Sequence, residues 1–141
     1  MKLSRTVAYA VQASIYLAES EGDGPIPCSR LASRGQMPER FLLQVLRHLV
    51  ARGILASTRG VDGGYRLERP AKDISLLDVI EAIDGPMVTT LPLNENLPGK
   101  SLAQLKKAIS GVTDQVRRQL AAIKLSHLVP PPAGDLKRGR N

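Results

Sequence analysis

Apolar residues recur at steps of three and four along much of this chain of 141 residues, the spacing of one buried face of an α-helix. The first such stretch predicts a helix over about 4–20, with Ser4 as its N-cap. A glycine-rich turn follows, and then a short helix over about 28–34. Gly35 is expected to end this second helix in the left-handed conformation, which glycine adopts at little cost.

A third helix is expected to begin with Pro38 in its first turn and to end at Gly53. Its buried stripe consists of Leu42, Val45, Leu46, Leu49 and Val50. A fourth helix is expected over 76–84, because Ser75 and Asp78 have the spacing of a capping box and a glycine-proline pair stops the pattern.

Between the third and fourth helices the pattern changes to that of two short strands around a glycine-rich turn. It predicts a β-hairpin over 54–67, in which Asp62-Gly63 and the neighbouring glycines supply positive φ angles. A short helix, a tight turn and a longer helix over about 28–51 form a helix-turn-helix, and a hairpin soon after them is typical of a winged helix. We therefore expect a mostly α fold, with a winged helix-turn-helix DNA-binding domain over 1–86.

The remaining chain is expected to form a loop over 87–100, a helical region over 101–128 and a disordered tail over 129–141. Ser101 and Gln104 match a capping box at the start of the helical region. Its apolar residues have nearly heptad spacing: Leu102, Leu105, Ile109, Val112, Val116, Leu120 and Ile123. Such a seam predicts a dimerisation helix, and the alternative is packing against the first helix of the same subunit.

The face of the third helix opposite its apolar stripe carries Arg40, Leu43, Gln44 and Arg47. In a DNA major groove, arginine pairs with guanine, glutamine with adenine, and an apolar side chain contacts the thymine methyl. The alternative is an ordinary solvated helix face, but the basic wing that follows favours DNA. Further candidates are Ser57, Thr58, Arg59 and Gly63 on the wing, and Lys2, Ser4 and Arg5 at the start of the first helix.

The wing and the first helix suit DNA for different reasons. Arg59, at the turn of the hairpin, suits the minor groove, and hydroxyls and glycine amides suit phosphates. Cations beside the free amides of a helix N-terminus favour an anion. Plain hairpin chemistry is the alternative for Gly63, and a simple N-cap is the alternative for Ser4.

Composition narrows the class of protein. The chain has 20 lysines and arginines against 13 acidic residues, for a formal charge of +7, which favours an anionic partner such as double-stranded DNA. One cysteine and two histidines exclude a disulfide scaffold and predict no metal or cofactor. No catalytic motif points to an enzyme. The absence of a membrane span or signal peptide predicts a cytoplasmic protein.

Cys28 opens the predicted second helix, where the helix dipole and nearby Arg30 can lower the pKa of a thiol and make it oxidisable. The alternative is that Cys28 is only a small residue packed at the start of a helix. This alternative is favoured because free cysteines are so often buried.

Several segments together resemble one bacterial family of regulators, that of the iron-sulfur cluster regulator, the nitric-oxide-sensing repressor and the cysteine-metabolism repressor (IscR, NsrR and CymR type). They are Leu3-Ser4-Arg5, Pro38-Glu39-Arg40-Phe41-Leu42, Gly53-Ile54-Leu55, Gly63-Gly64-Tyr65-Arg66-Leu67 and Ile74-Ser75-Leu76-Leu77-Asp78. The resemblance covers about 1–128 and implies a dimeric winged-helix DNA binder, often a repressor. Many members hold an iron-sulfur cluster through three cysteines in the loop before the last helix, and the corresponding loop here, 87–100, has none.

We therefore expect a sequence-specific transcription regulator, a repressor that binds a palindromic operator as a homodimer. The alternative is a regulatory interaction module that depends on a partner protein and binds DNA only weakly by itself.

Overall fold

The computed structural model of the chain describes residues 1–90 and 96–130. The α-helices are α1 (Arg5–Glu19), α2 (Cys28–Gly35), α3 (Glu39–Ala51), α4 (Leu76–Asp84) and α5 (Gly99–Ala122). The strands β1 (Leu55–Thr58) and β2 (Gly64–Leu67) pair between α3 and α4, and short 3₁₀ turns occupy Ala71–Asp73 and Leu125–Leu128. The expected order of helix-turn-helix, hairpin wing, fourth helix and long last helix is confirmed. No helix within the described ranges has the length and apolar character needed to cross a membrane.

The core lies where α1, α3 and α4 pack against one another. Leu42, Leu46 and Leu49 of α3 are fully enclosed and Val45 is buried, so the predicted stripe is confirmed except that Val50 is only partly buried. Burying these side chains contributes roughly 1.5–3 kcal/mol each relative to exposure, which makes the stripe the main energetic reason for the position of α3. The opposite face of α3 consequently points to solvent.

The turn between α2 and α3 differs from its prediction. Gln36, with φ 52°, is the residue in the left-handed conformation, and Gly35 is the last residue of α2. A Cβ at Gly35 would lie 2.6 Å from the Met37 Cε atom, so a larger residue there would require the flexible Met37 side chain to shift, and the φ angle of Gly35 is not the reason for glycine. Pro38 is the N-cap of α3 and lies outside its first turn.

The other predicted caps have mixed outcomes. Ser4 caps α1, because its Oγ accepts a hydrogen bond from the Val7 amide at 3.2 Å. Ser75 and Asp78 form the expected capping box, with bonds of 3.0 Å and 2.9 Å between each side chain and the other residue's amide. The capping box predicted at 101 is wrong, since α5 already begins at Gly99 and has Pro98 as its N-cap.

The hairpin pairs Leu55 with Leu67 at its base and Thr58 with Gly64 at its tip. The positive φ angles of the hairpin occur at Gly60 (113°) and Gly64 (154°), so the prediction is confirmed for the neighbouring glycines and wrong for Asp62-Gly63. The five residues between the strands leave room for a turn that needs no left-handed residue at its centre.

The predicted helical region 101–128 is not one helix, because α5 ends at Ala122 and the chain then turns back into the DNA-binding domain. The Leu76 amide donates to the Ile123 carbonyl at 2.8 Å, and the Leu125 amide donates to the Ile74 carbonyl at 2.9 Å. Leu125 is fully buried in the main core and Val129 packs against it. Residue 129 therefore belongs to the folded domain, and 131–141 of the predicted tail lie outside the described residues.

Candidate DNA-binding surface

The exposed face of α3 carries three of the four predicted reading residues. Arg40, Gln44 and Arg47 are exposed, whereas Leu43 is partly buried and reaches less far into solvent. The spacing of four and three residues aligns the three polar side chains along one side of the helix. Polar side chains of this type, held on a helix whose other face is fixed in a core, can hydrogen-bond to base edges.

A cleft of about 330 Å³ separates the carboxyl end of this face from the wing. Its lining residues are Arg47, Val50, Ser57, Thr58, Arg59, Gly64 and Tyr65. The cleft thus has one arginine from α3, one arginine from the wing and three hydroxyl-bearing residues in its lining. On B-DNA, a phosphate backbone lies between a helix in the major groove and a loop in the neighbouring minor groove. The lining of the cleft suits that backbone, since guanidinium and hydroxyl groups are common phosphate contacts.

The wing is held beside α3 by the segment that precedes α2. The Ile26 amide donates to the Tyr65 carbonyl at 2.9 Å, and the Tyr65 amide donates to the Ile26 carbonyl at 2.8 Å. A Cβ at Gly64 would lie 2.3 Å from the Ile26 carbonyl carbon, so only glycine permits this approach. Sequence reasoning missed the contact, although Ile26 precedes Pro27 and residues before proline favour an extended backbone.

The predicted role of the Gly63 amide is wrong. The Gly63 amide donates to the Gly60 carbonyl at 3.0 Å and closes the turn of the wing, so it is not free to meet a phosphate. A Cβ at Gly63 would also lie 2.2 Å from the Thr58 carbonyl oxygen. Glycine is therefore required at this position by the shape of the hairpin.

The start of α1 lies on the other flank of α3. A cavity of about 270 Å³ is lined by Thr6 of α1 and by Phe41, Gln44 and His48 of α3, among other residues. The rings of Tyr9 and Phe41 meet edge to face, with centroids 5.7 Å apart. Exposed Lys2, Ser4 and Arg5 precede or begin the same helix, so the structure brings their segment to the side of α3.

The chemistry proposed for Cys28 is not supported. Its thiol donates to the backbone carbonyl of Glu39 at 3.7 Å, and partial burial together with the Glu39 carboxylate raises the pKa of the thiol above its ordinary value. The hypothesis that the helix dipole and Arg30 lower this pKa is therefore wrong, and burial, which disfavours the charged thiolate, is the larger cause of the rise. The packed alternative describes the residue better.

The apolar seam of α5 divides into two parts. Val116 and Leu120 pack with Val7, Leu77 and Ile80 of the same subunit, so the alternative of internal packing holds for this end of the seam. Ile123 lies beyond the helix. Leu102 and Ile109 remain partly exposed and Leu105 and Val112 exposed, Val112 with 57% of its surface accessible.

A polar clamp fixes α5 to α4. The Glu81 carboxylate of α4 pairs with the Arg117 guanidinium of α5 and accepts a hydrogen bond from the Met87 amide at 2.5 Å. Thr89 and Thr113 form a further hydroxyl contact of 2.5 Å between the following loop and α5. The direction of α5 relative to the DNA-binding surface is therefore defined by several independent contacts.

Comparison with known proteins agrees with this geometry. Residues 3–131 match the Rrf2 family, described as iron-dependent transcriptional regulators. The chain belongs to this family. The resemblance found in the sequence is thus confirmed, and the Rrf2 family consists of regulators of transcription, which agrees with the expectation that the chain is not an enzyme.

Individual Rrf2 relatives cover the chain to different extents. IscR of Photobacterium profundum is 38% identical over 84 residues, covering 60% of this chain and 49% of the relative. The structure of CymR, the global cysteine regulator of B. subtilis, is 27% identical, with a TM-score of 0.77 over 91% of this chain and 95% of that one. The structure of T. potens IscR is 26% identical, with a TM-score of 0.72 over 100% of this chain and 92% of that one. Among the curated relatives first matched, the aligned segment spans only 49% to 59% of their length.

The iron chemistry named in the Rrf2 description does not fit this chain. Iron-sulfur clusters are usually held by several thiolates, and the chain has one cysteine, at the start of α2. In the described part of the chain, no three histidine, cysteine, aspartate or glutamate side chains converge as metal ligands. The donor set of this Rrf2 chain therefore does not fit an iron-sulfur cluster.

Proposed function

We propose that this chain is a sequence-specific DNA-binding transcription regulator that acts as a homodimer on a palindromic operator. The cleft between α3 and the wing carries the proposal, because Arg47 of α3 and the hydroxyl residues Ser57 and Thr58 of the wing line the same opening. This arrangement suits a base contact from α3 beside a backbone contact from the wing. The excess of basic residues in the chain supports an anionic partner.

In the proposed complex, α3 enters the major groove. Arg40, Gln44 and Arg47 read base edges, and partly buried Leu43 contacts a thymine methyl only where the groove approaches closely. Ser57 and Thr58 of the wing bind the backbone, and Arg59 reaches the edge of the minor groove. Lys2, Ser4 and Arg5 bind backbone phosphates beside α3, with no part in base selection.

The dimer follows from the uncovered part of α5. This helix has 24 residues, a length of about 36 Å, and only Leu120 near its end is buried within the subunit. The surface formed by Leu102, Leu105, Ile109 and Val112 is apolar and belongs to one side of the helix. We propose that a second copy of the chain covers this surface.

Two lysine variants test the dimer. Leu105→Lys places a charge in the proposed interface and should produce monomers in sedimentation at micromolar concentration, whereas Gln104→Lys, one residue away and outside the apolar surface, should leave the dimer intact. Both variants add the same charge to the same turn of α5, so the comparison separates interface disruption from a general charge effect. A dimeric Leu105→Lys variant, or a monomeric parent protein, would contradict the proposed interface.

In such a dimer, a two-fold axis relates the two DNA-binding domains. The operator must therefore be an inverted repeat, with half-sites separated by about 10 base pairs or a multiple of that distance. The ion pair between Glu81 and Arg117 holds each DNA-binding domain at a fixed angle to α5, which favours a single spacing between the half-sites.

We further propose repression, since a dimer that covers promoter DNA excludes polymerase without any additional contact. This function places the protein in the cytoplasm, where the bacterial chromosome lies.

The experiment that tests this function is the sequencing of genomic DNA fragments retained by the purified protein. We expect an inverted repeat upstream of coding regions, and protection of both half-sites from cleavage. Transcription in vitro from such a promoter should fall as protein is added. Retained fragments that share no sequence, at a salt concentration near physiological, would contradict sequence-specific recognition.

A further inference from the structure

The tip of the wing is a four-residue turn whose two central residues point away from the protein. The Gly63 amide donates to the Gly60 carbonyl at 3.0 Å and closes the turn around Val61 and Asp62. The Val61 side chain is fully exposed, at 102% of its reference surface, and Asp62 is exposed beside it. Arg59, by contrast, lines the cleft between α3 and the wing.

The negative charge of Asp62 opposes binding to DNA, because the phosphates of DNA are also negative. No cation forms an ion pair with its carboxylate anywhere in the described ranges. The arginines of the nearby cleft, Arg47 and Arg59, line the space between α3 and the wing. Phosphates on both sides of a minor groove repel a carboxylate at the tip of a wing that enters it. The charge therefore opposes insertion into any minor groove that offers no compensating donor.

We propose that Asp62 determines specificity by favouring guanine-containing base pairs in the minor groove beneath the wing. The floor of this groove presents acceptors at every base pair, and its one donor is the exocyclic N2 amino group of guanine. A carboxylate can accept a hydrogen bond from that amino group, and it meets only acceptors at an A·T pair.

The shape of the DNA acts in the same direction. Tracts of A·T pairs have a narrow minor groove with an enhanced negative potential, which attracts arginine and repels a carboxylate. Val61 offers the groove an apolar surface that can contact sugars without distinguishing donors from acceptors. The discrimination is thus assigned to Asp62, and the wing as a whole would avoid A·T tracts that an entirely basic wing prefers.

This inference rests on the proposed function, because it requires that the wing contact a minor groove. Its test uses the full chain and an operator in which the base pairs under the wing, located by hydroxyl-radical footprinting, are changed one at a time. Replacing guanine by inosine removes the N2 amino group and leaves the major groove unchanged. Replacing adenine by 2,6-diaminopurine adds the same amino group to an A·T pair.

We expect the parent protein to bind the guanine operator about tenfold more tightly than the inosine operator, the scale of one hydrogen bond to a charged group. The diaminopurine operator should likewise bind more tightly than the adenine operator. Asp62→Ala should bind all four operators within about twofold of one another. Asp23→Ala removes the same charge from the exposed turn after α1 and should retain the parent's preference.

The removal of Asp62 should also strengthen binding to a scrambled duplex, because a repulsive charge is lost. An Asp62→Ala variant that keeps the full preference for guanine over inosine would overturn the assignment, and so would a parent protein that binds both operators equally. Either result leaves the proposed function intact, since operator binding itself would still be observed. Loss of operator binding by the parent protein would instead overturn the proposed function.

Discussion

Gly64 is the position at which a single methyl group should displace the wing. Its Cβ would lie 2.3 Å from the Ile26 carbonyl carbon and 2.6 Å from the Pro27 nitrogen, both of which are backbone atoms that cannot rotate away. Ordinary contact for a Cβ begins at 3.4 Å, so Gly64→Ala requires the two segments to separate by about 1 Å. The hydrogen bonds of 2.8 and 2.9 Å that join Ile26 to Tyr65 would then be stretched to their limit.

The energetic cost can be estimated from these contacts. Losing two backbone hydrogen bonds costs about 2 kcal/mol, at about 1 kcal/mol each. A non-glycine residue at the positive φ of Gly64 adds roughly 1–3 kcal/mol. The total, about 3–5 kcal/mol, is at or below the lower end of the typical domain stability of roughly 5–15 kcal/mol, so a folded domain with a displaced wing is expected.

Gly60→Ala is the matched control. Gly60 also has a positive φ, of 113°, but its added Cβ would meet no atom within 4 Å. Both variants therefore carry backbone strain, and the difference between them isolates the contact with Ile26. We expect denaturant unfolding to place Gly64→Ala about 2 kcal/mol below Gly60→Ala in stability.

DNA binding provides the functional measurement. With the wing shifted from α3, the proposed phosphate contacts of the cleft would be lost, and operator affinity measured by fluorescence anisotropy should fall about tenfold more for Gly64→Ala than for Gly60→Ala. If the two variants have equal stability and equal operator affinity, the reasoning about wing placement is refuted.

Four further predictions follow from the same structure. Arg47→Ala should reduce the preference for one base pair of the operator by roughly 1–3 kcal/mol. Arg5→Ala should instead weaken binding to operator and scrambled duplexes equally and reduce the dependence of affinity on salt concentration. Titrations against both duplexes distinguish the two outcomes. Leu125→Ala should lower the free energy of unfolding by about 2–5 kcal/mol, because its side chain is fully buried in the core; denaturant unfolding measures it. The raised pKa of Cys28 leaves less thiolate at pH 7 than in an ordinary thiol, so alkylation should be slower than that of glutathione and should accelerate as pH rises. Protein expressed anaerobically should be colourless and should bind its operator after chelator treatment; visible absorbance lost together with DNA binding in air would contradict this.

Sequence periodicity was sufficient for features that depend on neighbours along the chain. The stripe containing Leu42 and Leu46 indicates which face of α3 is buried and therefore which face is free to read DNA. The capping box of Ser75 and Asp78 joins residues three positions apart, so its pattern is visible in the sequence. These local signals were enough to predict the winged helix-turn-helix and the exposed face of α3.

Tertiary structure decided the features that depend on residues distant in sequence. Leu125 follows the last helix, and only the folded chain shows that it returns to pair with Ile74 and fill the core. The left-handed residue after α2 is Gln36 and not Gly35, because the fold extends the helix through Gly35 and places its C-cap one residue later. The approach of Gly64 to Ile26 likewise joins segments that no periodic pattern connects. A sequence pattern predicts whether a position is buried or exposed. Which distant residue packs against that position depends on the packing of the whole fold.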